Sequence, residues 1–324
     1  MSFWLRRKVF VTGASGLLGA HLVAKLIEKG AEPVVLLRDW TPGSDLLASG
    51  RLDACTVVRG ELEDSSLLLR ALNEHEIDSV FHLGAQTIVG TARRSPLSTF
   101  EANIRGTWNL LEACRLLGDA VERVVVASSD KAYGEQEQLP YTETTPLEGR
   151  FPYDVSKSCA DLIATSYGKT YGVPVAITRC GNLFGGGDLN FNRLVPGTIL
   201  AALEGRGVEI RSDGLAVRDY FYVEDAADAY LTLAEAMPLA GAAGDAFNFG
   251  NERPLSVLDM VKTVLDVMGR SELEPRILDV AQSEIRRQYL DCTKARDVLG
   301  WKPHFGMEEG LRRTIAWYEN WFGD

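Results

Sequence analysis

A chain of 324 residues, 46% hydrophobic and 24% charged, has the composition of an ordinary globular protein and the length for one large α/β domain or two smaller ones. Its formal net charge of −11 at pH 7 excludes the basic face of a nucleic-acid binder, while leaving room for a few arginines to hold a small anionic ligand. Five scattered cysteines without CxxC spacing, and no HExxH or HxxxH pair, exclude a disulfide framework and a zinc site; reduced thiols in the cytoplasm and no metal are expected.

The first segment, MSFWLRRKVFVTG, lacks the apolar stretch of a secretory signal, and no later run approaches the roughly 18 apolar residues of a membrane span. A cytoplasmic protein without membrane contact is expected. KVFVTG (8–13) predicts a strand, followed by a helix whose Leu17, Leu18, Leu22, Val23 and Leu26 recur at helical spacing and which stops at Gly30. EPVVLL, ACTVVRG, SVFHLGA, RVVVASS and VPVAITRC predict five more strands, with helices between them, long ones at 98–118 and about 153–171. Strand–helix–strand repetition means right-handed crossovers and a mainly parallel sheet. Beyond Cys180 the rhythm changes to a glycine-rich segment, a proline-interrupted helix, short strands and a further helix; from Asn251 on, helices and the LGWKP segment dominate. The expected architecture is α/β, a Rossmann-type doubly wound parallel sheet with a smaller C-terminal substrate-binding lobe. Residues 1–180, with about 219–250 returning, would form the dinucleotide-binding domain, and 181–218 with 251–324 the lobe.

VTGASGLLG places Gly13, Gly16 and Gly19 between the first strand and the first helix. Glycines there allow a tight turn and let a pyrophosphate approach the helix N-terminus with its free N–H groups. The second strand ends in Arg38 and Asp39. An acid at that point reads the free 2′-hydroxyl of NAD, whereas an arginine accommodates the 2′-phosphate of NADP, so both cofactors stay open on these residues alone. YDVSK puts Tyr153 and Lys157 on one helix face. A lone tyrosine, with a pKa near 10, is a poor base, and an ammonium one turn away, together with a positive nicotinamide, favours its phenolate. SSDKAYG then sets an acid and an amine, Asp130 and Lys131, at the end of an apolar strand.

These segments, with HLGAQ, NIRGTWNLLEAC, RCGNLFGGGD, VRDYFYVEDAADA and LGWKP in that order, resemble the extended short-chain dehydrogenase/reductases that act on nucleotide sugars, over essentially the whole chain. SSDKAYG, YDVSKSCAD and GNLFGGGDLNFNRLVPG look most like the CDP-glucose 4,6-dehydratases. The resemblance implies NAD as cofactor, NADP not being excluded, and a nucleotide-diphosphate sugar as substrate. It implies dinucleotide contacts from Ser15, Leu17 and Leu18, from Glu61 and Leu62, from Leu83, Gly84 and Ala85, and from Asn103, which would also fix the helix backbone near the site. It further implies Ser129, Tyr153 and Lys157 as the catalytic set, and sugar-nucleotide contacts from Gln86, Asn182, Arg193, Leu194, Arg218 and Arg286 or Arg287. Arginine's planar fork suits pyrophosphate oxygens. A homodimer through a four-helix bundle made by helices 98–118 and 153–171 is implied as well.

Many water-removing relatives carry Asp-Glu after the serine, and the CDP-glucose type carries Asp-Lys, as here. In such enzymes oxidation at C4 acidifies the C5 hydrogen, so that the C6 hydroxyl can leave with help from an acid and a base. Asp130 would be the acid and Lys131 the base, the reverse assignment staying open; burial would raise the one and depress the other. A 4-epimerase needs no such pair, and is the alternative. A dinucleotide-sensing protein without turnover is the distant one, and it would have no use for an activated phenol.

Overall fold

The computed structural model describes residues 2–240, 242–280 and 285–323. Six strands come first: β1 (Lys8–Thr12), β2 (Glu32–Leu37), β3 (Thr56–Arg59), β4 (Ser79–His82), β5 (Arg123–Ala127) and β6 (Val175–Cys180). Between them run α1 (Leu17–Glu28), α2 (Asp45–Ala48), α3 (Ser65–Glu74), α4 (Val89–Arg94), α5 (Pro96–Phe100), α6 (Gly106–Leu117) and α7 (Pro152–Tyr171). The remainder holds β7 (Asn182–Phe184), α8 (Leu194–Leu203), β8 (Glu209–Ile210), β9 (Val217–Tyr222), α9 (Val223–Ala240) and β10 (Asp245–Phe249). It closes with β11 (Pro254–Ser256), α10 (Val257–Val267), β12 (Arg276–Ile277), β13 (Arg287–Gln288), α11 (Thr293–Leu299) and α12 (Met307–Gly323).

Seven strands form one sheet in the order β10-β6-β5-β4-β1-β2-β3, every neighbouring pair parallel. A parallel sheet must be covered on both faces, and it is. Alternate residues of one strand feed separate cores: Val9 and Val11 pack with Leu22, Val23 and Ala226, while Phe10 between them packs with Leu68, Leu110 and Val124. With helices on both faces and strand order reversing beside β1, the fold is the Rossmann-type doubly wound α/β fold. The edge strand β10 pairs with β6 although 64 residues lie between Cys180 and Asp245 in the chain, so the sheet is completed late.

Three features differ from the sequence reading. The helix expected over 98–118 is broken: a π-turn at Glu101–Arg105 separates α5 from α6. Pro196 does not interrupt α8 but lies in its first turn, where a missing N–H costs no helical bond. The tail beyond Asn251, read as helical, also contributes β11 and β13, which flank β9 in a second sheet that β7 joins. These strands are two or three residues long, too short to show any period.

Candidate active site

The C-terminal ends of β1, β4 and β5 meet where an open parallel sheet presents its crevice. At β1, Gly13 takes φ +71°, and a Cβ there would sit 2.7 Å from the Gly84 nitrogen in the segment after β4. A Cβ on Gly19 would come within 2.1 Å of the Gly13 carbonyl oxygen, so these two glycines are demanded by the turn itself. Gly16 is different: a Cβ would meet only that carbonyl, at 3.2 Å, and open space otherwise. Gly16 caps α1 without a side-chain hydrogen bond, and the first turn, begun by Leu17 and Leu18, carries no acid. A bare helix N-terminus beneath an open glycine is a cradle for a pyrophosphate, and the dinucleotide fits these residues. Ser15 lies half-buried in the same turn.

The walls follow from neighbouring strands. Gly84 donates its N–H to Thr12 Oγ1 at 2.9 Å, and Leu83 donates to the Thr12 carbonyl, placing Leu83, Gly84 and Ala85 beside the glycine turn. Leu62, next to Glu61 beyond β3, lies against Gly84 and Gly106. Past β2, Arg38 and Asp39 are exposed and paired with each other at 2.7 Å. His82 is a packed strand-end residue held between Thr12 Oγ1 and Thr107 Oγ1, and burial lowers it to about 3. The π-turn turns Asn103 inward: its Oδ1 accepts from the Gln86 N–H at 2.7 Å, and its Nδ2 donates to the Gln86 carbonyl and to Ser156 Oγ.

β5 ends at Ala127, and Ser129 opens a 3₁₀ turn over Asp130–Tyr133 by accepting from the Lys131 N–H. Ser129 Oγ also donates to Asp130 Oδ1 at 3.0 Å. α7 starts on Pro152, which sets Tyr153 and Lys157 facing that turn; Ser158 Oγ ties the helix to it through the Ala132 carbonyl at 2.8 Å. Lys157 Nζ donates to the Ala127 carbonyl, and burial depresses it to about 8. Burial likewise pushes the Tyr153 phenol up to about 12, with Arg193 and a contact from Ser129 pulling the other way. These residues alone hold Tyr153 toward its protonated form, so the expected phenolate would need the positive charge of a bound nicotinamide in addition to Lys157.

Asp130 is 1% exposed, and its Oδ2 has no hydrogen-bond partner among the described residues. Burial raises its carboxyl, opposed by Lys131, Ser129 and Arg218. Lys131 Nζ donates to Gln288 Oε1 at 3.4 Å. Two more buried acids sense Asp130: burial raises Asp154 to about 6 and Asp219 to about 7, the latter accepting from the Asn251 and Glu252 N–H groups.

The remaining sequence candidates spread more widely. Asn182 opens β7, in register with Tyr220. Arg193 caps α8 just before Leu194, is paired with Asp188 at 3.1 Å, and acts on Tyr153. Arg218 is buried in β9 and acts on Asp130. Arg286 pairs with Asp213 and Arg287 lies over Tyr289, both exposed. It is Gln288, not noticed in the sequence, that turns inward.

A family model described as GDP-mannose 4,6 dehydratase matches residues 10–314. The chain belongs to that family. Among its relatives, the dTDP-glucose 4,6-dehydratase 1 of Escherichia coli (strain K12) is 31% identical, over 96% of this chain and 92% of its own. A dTDP-glucose 4,6-dehydratase from Streptomyces venezuelae, solved with NAD bound, superposes with a TM-score of 0.87 at 29% identity, covering 98% of each chain. The fold does not separate dehydratases from epimerases: a UDP-N-acetylglucosamine 4-epimerase from Methanobrevibacter ruminantium M1 also reaches 0.87, at 26% identity, over 98% of this chain and 99% of its own.

Proposed function

We propose that this protein is an NAD-dependent nucleotide-sugar 4,6-dehydratase that converts an NDP-hexose to the NDP-4-keto-6-deoxyhexose. The observation that carries the reading is Asp130, a fully buried carboxyl held toward its protonated form beside Ser129, Lys131 and the Tyr153 helix. An epimerase has no step for such an acid.

Gly13, Gly16, Gly19 and the N-terminus of α1 would hold the pyrophosphate of NAD, with Leu62 and Leu83–Ala85 along its walls. When bound there, NAD would supply the redox chemistry, an acceptor for the C4 hydride and a source for its return at C6. With the positive nicotinamide bound beside it, Tyr153 would act as the phenolate and take the C4 hydroxyl proton, with Ser129 beside it and Lys157 behind it on the same helix. The C4 ketone makes the C5 hydrogen acidic, Lys131 removes it, and Asp130 protonates the C6 oxygen as it leaves as water. Asn182, Arg193, Leu194 and Arg218 would hold the sugar diphosphate, with Gln86 at the sugar. Residues 1–180 with 219–250 would carry the cofactor and the remainder the nucleotide sugar.

For the substrate we propose CDP-glucose, because the acid is followed by Lys131 and not by a glutamate. The named relatives act on dTDP-glucose, and that nucleotide is the competing choice. Helices α6 and α7, which leave Trp108, Leu116, Leu162 and Tyr171 exposed, would pair with their copies in a homodimer. The five unpaired thiols suit a cytoplasmic setting, and no described helix is long and apolar enough to cross a membrane. The test is incubation with CDP-, UDP-, dTDP- and GDP-hexoses followed by mass spectrometry. Loss of one water supports the reading; an isomer of unchanged mass from the true substrate replaces it with 4-epimerisation.

A further inference from the structure

Gln288 is fully buried in β13, two residues beyond Arg286, on a strand pairing in which it lies opposite Arg218 of β9. Its Oε1 accepts from Lys131 Nζ at 3.4 Å. The amide turns its carbonyl oxygen to the lysine, which donates to it. The Nε2 is left buried, with no partner among the described residues. Asp130 Oδ2, on the residue next to Lys131, is orphaned in the same way.

A buried amide kept only for packing or folding normally satisfies both ends, because an unpaired buried donor costs stability. Gln288 satisfies one end, and that end is spent on Lys131. The strand that carries it is held to the same turn: the Tyr141 N–H donates to the Tyr289 carbonyl at 2.9 Å, and Tyr141 Oη donates to the Gly134 carbonyl at 2.7 Å. Tyr141 thus fixes β13 against the end of the 3₁₀ turn and sets the distance from Gln288 to Lys131.

We infer that Gln288 is a positioning residue for the elimination step: it holds the Lys131 amine beside Asp130, and its free amide donor marks where an oxygen of the substrate completes the cluster. This rests on the reading of Lys131 as an elimination residue under the proposed function. Specificity of the effect follows from placement. Gln288 is bonded to Lys131, whereas Lys157 is bonded to the Ala127 carbonyl, so Gln288 serves the second step and leaves the first alone.

The experiment is single turnover with CDP-glucose, or whichever of the four hexose nucleotides the wild type dehydrates, reading reduced nicotinamide by near-ultraviolet absorbance and water loss by mass spectrometry. Gln288→Met should reduce the cofactor at the wild-type rate and lose water about tenfold more slowly, a fraction of what a general acid or base contributes. Its melting temperature should be unchanged or higher, since an orphaned donor has gone. Gln288→Asn, which keeps the amide but withdraws it from Lys131, should slow water loss in the same way and guards against a folding failure of the first variant. Adding Gln288→Met to Lys131→Ala should cost nothing more, because the two act through one amine. Wild-type water loss in both Gln288 variants, equal slowing of both steps, or additive losses in the double variant would each overturn the inference while Lys131→Ala remains impaired. If Lys131→Ala itself loses water at the wild-type rate, the assignment of Lys131 falls first and takes this inference with it.

Discussion

Lys157 Nζ donates to the carbonyl oxygen of Ala127 across 2.8 Å, which fastens the helix bearing Tyr153 to the last residue of β5. The bond is made by an amine that burial depresses from 10.5 to about 8. A lysine whose folded pKa lies below its unfolded value is bound by fewer protons in the folded state, so stability rises with pH between about 8 and 10.5 and carries the full cost below that window. Lys157→Met should therefore be more stable than wild type near neutral pH, by up to a few kcal/mol. It should also fail to reduce the cofactor. Thermal unfolding on both sides of the window checks this; a gain that persists unchanged at the alkaline end would show that the amine is not the cause.

Tyr153→Phe should abolish cofactor reduction, because no phenolate can form to take the C4 proton. Lys131→Ala should spare reduction and slow water loss by about 10²–10⁴-fold. Mixed with substrate, that variant should hold reduced nicotinamide long enough to see in the near ultraviolet. Reduction blocked as fully as in Tyr153→Phe would move Lys131 from the elimination to substrate or cofactor placement.

Asp219 is raised from 3.8 to about 7 by burial, and Asp130 adds to the shift. A carboxyl whose folded pKa is raised gives stability that is complete below its unfolded value and is lost as pH climbs through the folded one, here from about 4 to about 7. Asp219→Asn cannot ionise, so its stability should change less than that of the wild type across that window. Comparing denaturant midpoints at the two ends measures the difference; parallel pH profiles would assign the dependence to other groups.

Gly16→Val probes the cradle. A Cβ there would meet only the Gly13 carbonyl oxygen, at 3.2 Å, so melting without cofactor should fall only slightly, while the larger side chain occupies the place of a pyrophosphate. Dinucleotide affinity should fall at least about tenfold. Chromatography of the dinucleotide released from wild-type protein should find mainly NAD, since the Arg38 guanidinium is already paired with Asp39. Mainly NADP would reassign Arg38 to a 2′-phosphate.

The seven-stranded sheet was largely legible because six of its strands are apolar runs closed by turn residues, and amphipathic helices separate them. Tyr153 and Lys157 were legible because a four-residue spacing has one meaning on a helix. Gln288 was not. On a two-residue strand, the choice between Arg287 and Gln288 as the inward side chain depends on register with Val217 and Arg218, which lie some seventy residues away in the chain. The upward push on the Tyr153 phenol was not legible for a related reason: residue spacing shows Lys157 nearby, but burial is a property of the folded surroundings.

The π-turn at Glu101–Arg105 makes one helix carry one residue more than a regular α-helix would need for the same span. A helix advances about 100° per residue, so removing a single residue from this turn would regularise the backbone and swing Asn103 by roughly that angle. Its bonds to Gln86 and Ser156 would then be lost together, releasing the segment after β4 and the first turn of α7 at once. For chains with this architecture, length at this turn is therefore a stricter requirement than residue identity around it. A one-residue deletion there should be more damaging than most substitutions, even though the resulting helix would be the more regular of the two.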